Sequence, residues 1–241
     1  MAIHFRNAVR CLLLAILWPV LWQQGRHMRR VTPRLPEATG ARSGRSGQGP
    51  RCRVLMAGDS GAAGVGVSTQ DEALCGQLVQ SLSQHYTVEW LLVAANGLDS
   101  PGLVALLEQL PAFTFDVVVL SIGANDVTCL CSPQKWLQWQ NQLAVVVQAR
   151  FAPSLLVHSG VPPMHACMAL PQPLRWFMGI WAHEMNRLLA VLLGSNIQRT
   201  MHLHPASTTS TGMSVDGIHP SANGYRTWAD GLSRHILAHR A

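Results

Sequence analysis

Four short apolar runs, each ending in a turn and followed by a stretch of helical spacing, constrain this chain more than any other feature. Arg53–Ala57 (R-V-L-M-A), Val88–Ala94, Phe115–Ile122 (F-D-V-V-V-L-S-I) and Ser154–Ser159 are short and bounded by turn residues, as buried strands are. Helix signals recur between them. Thr69-Gln70-Asp71-Glu72 has the pattern of a capping box opening a helix to about Ser83. Ser100-Pro101 starts a second helix to about Leu110, and Ser132-Pro133 a third to about Arg150, each with proline at the favoured first position. A helix from about Leu174 to Leu193, a short strand near Thr200–Leu203 and a helix from about Ser221 to His239 complete the order. Such alternation predicts a doubly wound α/β sheet of about five mostly parallel strands with helices on both faces. Chemistry in these sheets gathers beyond the carboxyl ends of the strands.

Those ends carry reactive residue types. Gly58-Asp59-Ser60 puts a serine on a tight strand-to-helix turn among small residues, where it reads either as a nucleophile or as a helix cap. The glycines fall as G-x-x-G-x-x-G and no lysine follows, a pattern that fits neither a dinucleotide fingerprint nor a P-loop. In Asp216-Gly217-Ile218-His219-Pro220 an acid and a histidine stand three apart. On a turn, that spacing lets the carboxylate hold Nδ1–H and leaves Nε2 to accept a serine proton. Asn125, in Gly123-Ala124-Asn125-Asp126 just past a strand, can donate its amide N–H to a developing oxyanion. Gly97, after the second strand, would expose a backbone N–H as a further donor. Asp99 and Asp126 read as turn or cap residues.

Ser60, Gly97, Asn125 and His219 stand in the order of the four sequence blocks of the SGNH (GDSL-type) hydrolases, which the chain resembles from about Arg53 to Ala238. The resemblance implies a three-layer, flavodoxin-like fold and a serine hydrolase that needs no metal or cofactor. Carried over residue by residue, it implies Ser60 as nucleophile, His219 as general base and then acid, and Asp216 as the group that orients the histidine. The Ser60 and Gly97 backbone N–H groups and the Asn125 side chain would form the oxyanion hole. One position departs from the family's pattern. Gly61 stands where the family usually carries an aliphatic side chain, which predicts looser packing under the nucleophile turn.

Charge divides the chain in two. Residues 1–53 carry ten Arg and the single acid Glu37, whereas residues 54–241 carry eight basic and eleven acidic side chains, so the net +6 belongs to the tail. The body shows no nucleic-acid footprint. In the tail, Arg6 and Arg10 precede the apolar run Cys11–Trp22, and Arg26, Arg29, Arg30 and Arg34 follow it. Twelve residues are few for a spanning helix and suit a signal core, yet no small-x-small cleavage site follows. Residues 1–31 therefore read as a membrane anchor, interfacial helix or atypical export signal, with a soluble cytosolic helix as the remaining alternative and membrane contact expected through residues 11–34. If the run spans, its arginine bias places the catalytic domain on the cytoplasmic side. Residues 32–50, rich in Pro, Gly, Ser and Arg, read as a flexible linker to a hydrolase domain at 51–241.

Six cysteines without a C-x-x-C pair offer no zinc site, and His202-Leu203-His204 lacks an evident third ligand. Those histidines read as surface or core residues. Pro162–Pro173, within a stretch rich in proline and methionine, follows the fourth strand and is the candidate substrate wall. Leu174, Phe177, Met178, Trp181, Met185 and Leu188 follow helical spacing and read as core. The expected activity is hydrolysis of lipid or other acyl esters. An acyltransferase or carbohydrate deacetylase on the same residues, and a membrane-tethered binding protein of the same fold, are the alternatives.

Overall fold

The structure, a computed structural model, describes residues 2–194, 196–203 and 212–240, with side chains from residue 16 onward. Its sheet has six strands: β1 Ser43–Ser46, β2 Arg51–Gly58, β3 Thr87–Ala94, β4 Val117–Ser121, β5 Leu155–Ser159 and β6 Arg199–His202. They lie in the order β1-β3-β2-β4-β5-β6, parallel throughout except for β1, which runs antiparallel to β3. Without β1, this is the flavodoxin-like order.

Helices cover both faces, because the strands are apolar on both. On β2, Val54 and Met56 pack with Leu78 of α3 (Leu74–Leu82) and Leu232 of α8 (Ala222–Arg240). Leu55 and Ala57 point the other way, to Leu103 of α4 (Ser100–Gln109) and Leu143 of α6 (Pro133–Phe151). A third apolar cluster gathers around α7 (Leu174–Leu193), where Leu174, Phe177, Met178 and Met185 are buried as expected. Leu188 is half-buried, and the buried neighbour is Leu189.

Two stretches depart from expectation. Within residues 32–50, expected as a flexible linker, Ser43–Ser46 form an edge strand of the sheet. Ala38 is buried, and its N–H donates to the Ala63 carbonyl at 3.3 Å. Glu37 accepts from Asn96 N–H at 2.6 Å and pairs with Arg42. Half of the Thr69–Glu72 box forms: the Glu72 carboxylate accepts from the Thr69 N–H and hydroxyl, both at 3.3 Å, while the Glu72 N–H donates to the Thr69 carbonyl. It closes a turn, however, and α3 begins only at Leu74.

The tail forms a helix, α1, over Ala2–Val31, well past the apolar run. Its Leu21 is buried in the cluster around α7. Gln24 bridges to that helix, accepting from Leu174 N–H at 3.1 Å and donating to the Gln172 carbonyl at 2.6 Å. Pro173 precedes α7 and supplies no side-chain cap, so Gln24 satisfies an N–H that the helix itself leaves open. Ile16, Trp18, Val20 and Trp22 stay exposed, with Arg26 stacked on Trp22 at 4.6 Å. Among the described residues no helix is long and apolar enough to cross a membrane.

Candidate active site

In this strand order the topological switch point lies between β2 and β4. Both flanking strands deliver an expected site residue there. Ser60 opens α2 (Ser60–Ala63) directly after β2, and Asn125 sits in α5 (Ala124–Thr128) after β4. Gly58 makes the approach possible, since a Cβ there would stand 2.0 Å from the Ser121 carbonyl oxygen of β4. Only glycine fits where the two backbones come this close.

Ser60 Oγ lies 2.9 Å from His219 Nε2, and His219 Nδ1 lies 2.6 Å from Asp216 Oδ2. The buried Asp216 also accepts through Oδ1 from the Ser214 hydroxyl at 2.7 Å and the backbone N–H groups of Ile218 and His219 at 2.9 and 3.0 Å. Burial opposes its charge, but these hydrogen bonds outweigh burial and hold the carboxyl well below the usual range. An ionised Asp216 fixes the proton on Nδ1, so Nε2 presents its lone pair to Ser60.

Asp59 caps α2, accepting from Gly61 N–H at 3.0 Å. The Ser60 N–H is another first-turn donor that the helix cannot use. Burial pushes the Asp59 carboxyl up to about 6 against the pull of that hydrogen bond and of His219. The expected looseness at Gly61 does not occur. The Trp228 ring fills the space a side chain would take, 3.3 Å from where a Cβ would stand, and its Nε1–H donates to Ser159 Oγ at 3.0 Å. Tyr225 donates to the Val65 carbonyl at 2.6 Å and holds the far side of the same loop. The helix that follows His219 therefore clamps the turn bearing Ser60.

Asn125 Nδ2 donates to the Leu98 carbonyl at 2.8 Å, and the amide's second N–H is left over. Asp126 is buried and accepts from the Ser100 hydroxyl at 2.9 Å and the Ser100 N–H at 3.2 Å. Its role as a cap is thus real, shared with Asp99, whose Oδ1 accepts from Gly102 N–H. From Ser100 a buried chain runs outward through Gln140 (3.3 Å) and His158 (3.2 Å) to Arg199 (2.9 Å). Burial, then the neighbouring Arg199, push the His158 imidazole down to about 3, so it is neutral. Arg199 donates to His158 Nε2, which puts the proton on Nδ1. Every donor in the chain then points towards Asp126.

Gly97 lies in the turn after β3. It is exposed, with φ +81° that favours glycine, and the residue of this loop lining the cavity around Ser60 is Asn96. That cavity measures about 210 Å³ and takes Pro162, Pro163, Met164 and Cys167 from the expected wall. The later part of that wall, from Leu170, faces α1 instead. The sequence alone gives Glu37, Asn96, Ser214 and Trp228 no site role; Glu37 and Trp228 stand far along the chain from the Asn96 N–H and the Gly61 turn that they meet. His204 lies outside the described residues. Among those described, no three His, Cys, Asp or Glu side chains cluster to hold a metal ion.

A flavodoxin-like sheet with a Ser–His–Asp triplet at its switch point defines an α/β serine hydrolase of the SGNH type. The chain belongs to the GDSL-like lipase/acylhydrolase family, whose model matches residues 56–227. Among solved structures it is similar to a lipolytic protein of the G-D-S-L family from Veillonella parvula, at 13% identity and TM-score 0.63, covering 77% of this chain and 98% of that one. A carbohydrate esterase family 2 enzyme with a carbohydrate-binding domain from Corynascus (Myceliophthora fergusii) gives 13% identity and TM-score 0.65, covering 81% and 68%. The psychrotrophic esterase EstA from Pseudoalteromonas gives 18% identity and TM-score 0.58, covering 77% and 97%. At such identities the likeness is one of fold. No curated protein sequence matches the chain.

Proposed function

We propose that the chain is a serine esterase acting on carboxylic esters of apolar acyl groups. The observation that supports this most is the 2.9 Å approach of His219 Nε2 to Ser60 Oγ, backed by Asp216 at 2.6 Å. Ser60 Oγ attacks the ester carbonyl as its proton passes to Nε2, and Asp216 stabilises the imidazolium. The carbonyl oxygen gains the negative charge and is held by the Ser60 and Gly97 N–H groups and the free N–H of Asn125. Collapse expels the alcohol, which takes the proton from Nε2. Water then repeats the sequence on the acyl-serine, releasing the acid and restoring the hydroxyl.

The apolar cavity walls favour an acyl group over a sugar as the part recognised near Ser60. Carbohydrate esterases are among the neighbours that share the sheet, so deacetylation of a carbohydrate is the second reading. The exposed Trp18 and Trp22 beside arginines on α1 support contact with an anionic lipid surface. Replacing Ser60 by Ala should reduce hydrolysis of p-nitrophenyl butyrate to the uncatalysed rate in the presence of correctly folded protein. Undiminished turnover by that variant would rule the assignment out.

A further inference from the structure

The cavity around Ser60 is small for a lipid. Clefts that take drug-sized ligands span roughly 300–1,000 Å³, and this one offers about 210 Å³. A second, apolar groove of about 470 Å³ lies beside it, between α1 and the start of α7. Trp22, Gly25 and Met28 line it on one side, Leu170, Leu174 and Phe177 on the other. Thr128 and Ile218 line both spaces. These two are not arbitrary neighbours. Thr128 ends the short helix that carries Asn125, and Ile218 directly precedes His219 and donates its N–H to Asp216.

We infer that this groove is the acyl-chain subsite of the enzyme, so that a medium- or long-chain ester runs from Ser60 past Thr128 and Ile218 and under α1. The inference rests on the esterase reading and names its substrate class. The acyl chain is the occupant, not the alcohol, because of the order of events. The alcohol must leave and water must enter between the two chemical steps, so the departing side needs an open path. The acyl part stays bound through both steps and is the part a groove roofed by a helix can hold. On this assignment the basic, tryptophan-bearing tail is a wall of the substrate site, and its docking through Leu21 and Gln24 shapes the groove.

Gly25 gives the test. A Cβ there meets nothing nearer than Arg29 Nη2 at 3.9 Å, so Gly25→Phe starts without a Cβ clash from a position that lines the groove, and loss of a mid-helix glycine favours α1. The measurement is kcat/KM for monomeric p-nitrophenyl esters from acetate to decanoate. In the native chain it should climb by roughly fourfold for each methylene that enters the groove. In Gly25→Phe the decanoate-to-acetate ratio should fall by roughly tenfold or more, the worth of two or more buried methylenes. Gln23→Phe, an exposed position on the same helix, should leave the ratio alone. Equal ratios in native and Gly25→Phe proteins would overturn the assignment, as would a loss seen only when the alkyl chain of acetate esters is lengthened. Loss of all ester turnover in the native chain would instead sink the esterase reading. Calorimetric binding of decanoate to Ser60→Ala, weakened roughly tenfold by adding Gly25→Phe, tests the groove without turnover; equal binding would overturn it.

Discussion

Asp59 sits one residue before the nucleophile and carries its charge poorly, since burial lifts its carboxyl to about 6. The unfolded chain releases this proton near 3.8 and the folded chain only near 6, so the group's contribution to stability falls as pH rises through that window. The fall amounts to about 3 kcal/mol at the higher pH, from about 1.4 kcal/mol per unit. Asp59→Asn keeps an oxygen for the Gly61 N–H and removes the titration. Thermal melts from pH 4 to 8 should show the variant gaining on the native chain as pH rises, then levelling above pH 6. Constant separation across the range would show that Asp59 is ionised throughout. Asp216 has the opposite sign, its stabilisation being present at neutral pH and lost only as acid protonates it. Ser60, Asp216 and His219 were legible in the sequence because a three-residue spacing and a strand-end serine are local facts. Trp228 was not, because its place over Gly61 comes from a helix far along the chain.

At the scale of elements, the stretch before β2 braces the loop that carries Gly97, one of the oxyanion donors we propose. Glu37 holds the Asn96 N–H and thereby the loop that carries Gly97. Glu37→Ala should therefore lower kcat by up to roughly 10²-fold, the value of a lost oxyanion donor, with a smaller change in melting temperature. Unchanged kcat would remove Gly97 from the oxyanion hole. The strand Ser43–Ser46 in this stretch is hidden in the sequence because S-G-R-S is short, polar and fully exposed, and an edge strand of that kind has no apolar alternation to reveal it. The central strands were easy to read for the opposite reason. Val117–Ser121 and Leu155–Ser159 are buried at every position, and a continuous apolar run is what burial on both faces requires. The capping-box pattern marks a turn here because Glu72 reaches back to the Thr69 N–H while its own N–H bonds the Thr69 carbonyl, and the helix begins only at Leu74.

Over the whole molecule, the fold positions the site by topology alone. Reversal of strand order at β2 and β4 opens a crevice, and the turns leaving those strands bring Ser60 and Asn125 to it. His219 arrives from the loop before α8, whose Tyr225 and Trp228 brace the serine turn. The order of elements, and with it this placement, was readable from strand–helix alternation. The docking of α1 against α7 was not, because it depends on Leu21 and Gln24 meeting residues some 150 positions away. The function we propose requires Ser60 to be a nucleophile activated by His219. Its most direct measurement is reaction of the intact chain with a fluorophosphonate, followed by mass spectrometry of the labelled peptide. One adduct per chain on Ser60 is expected, with labelling abolished in Ser60→Ala and strongly slowed in His219→Ala. Absence of label on folded protein, or label on another residue at the same rate in all three proteins, would contradict it.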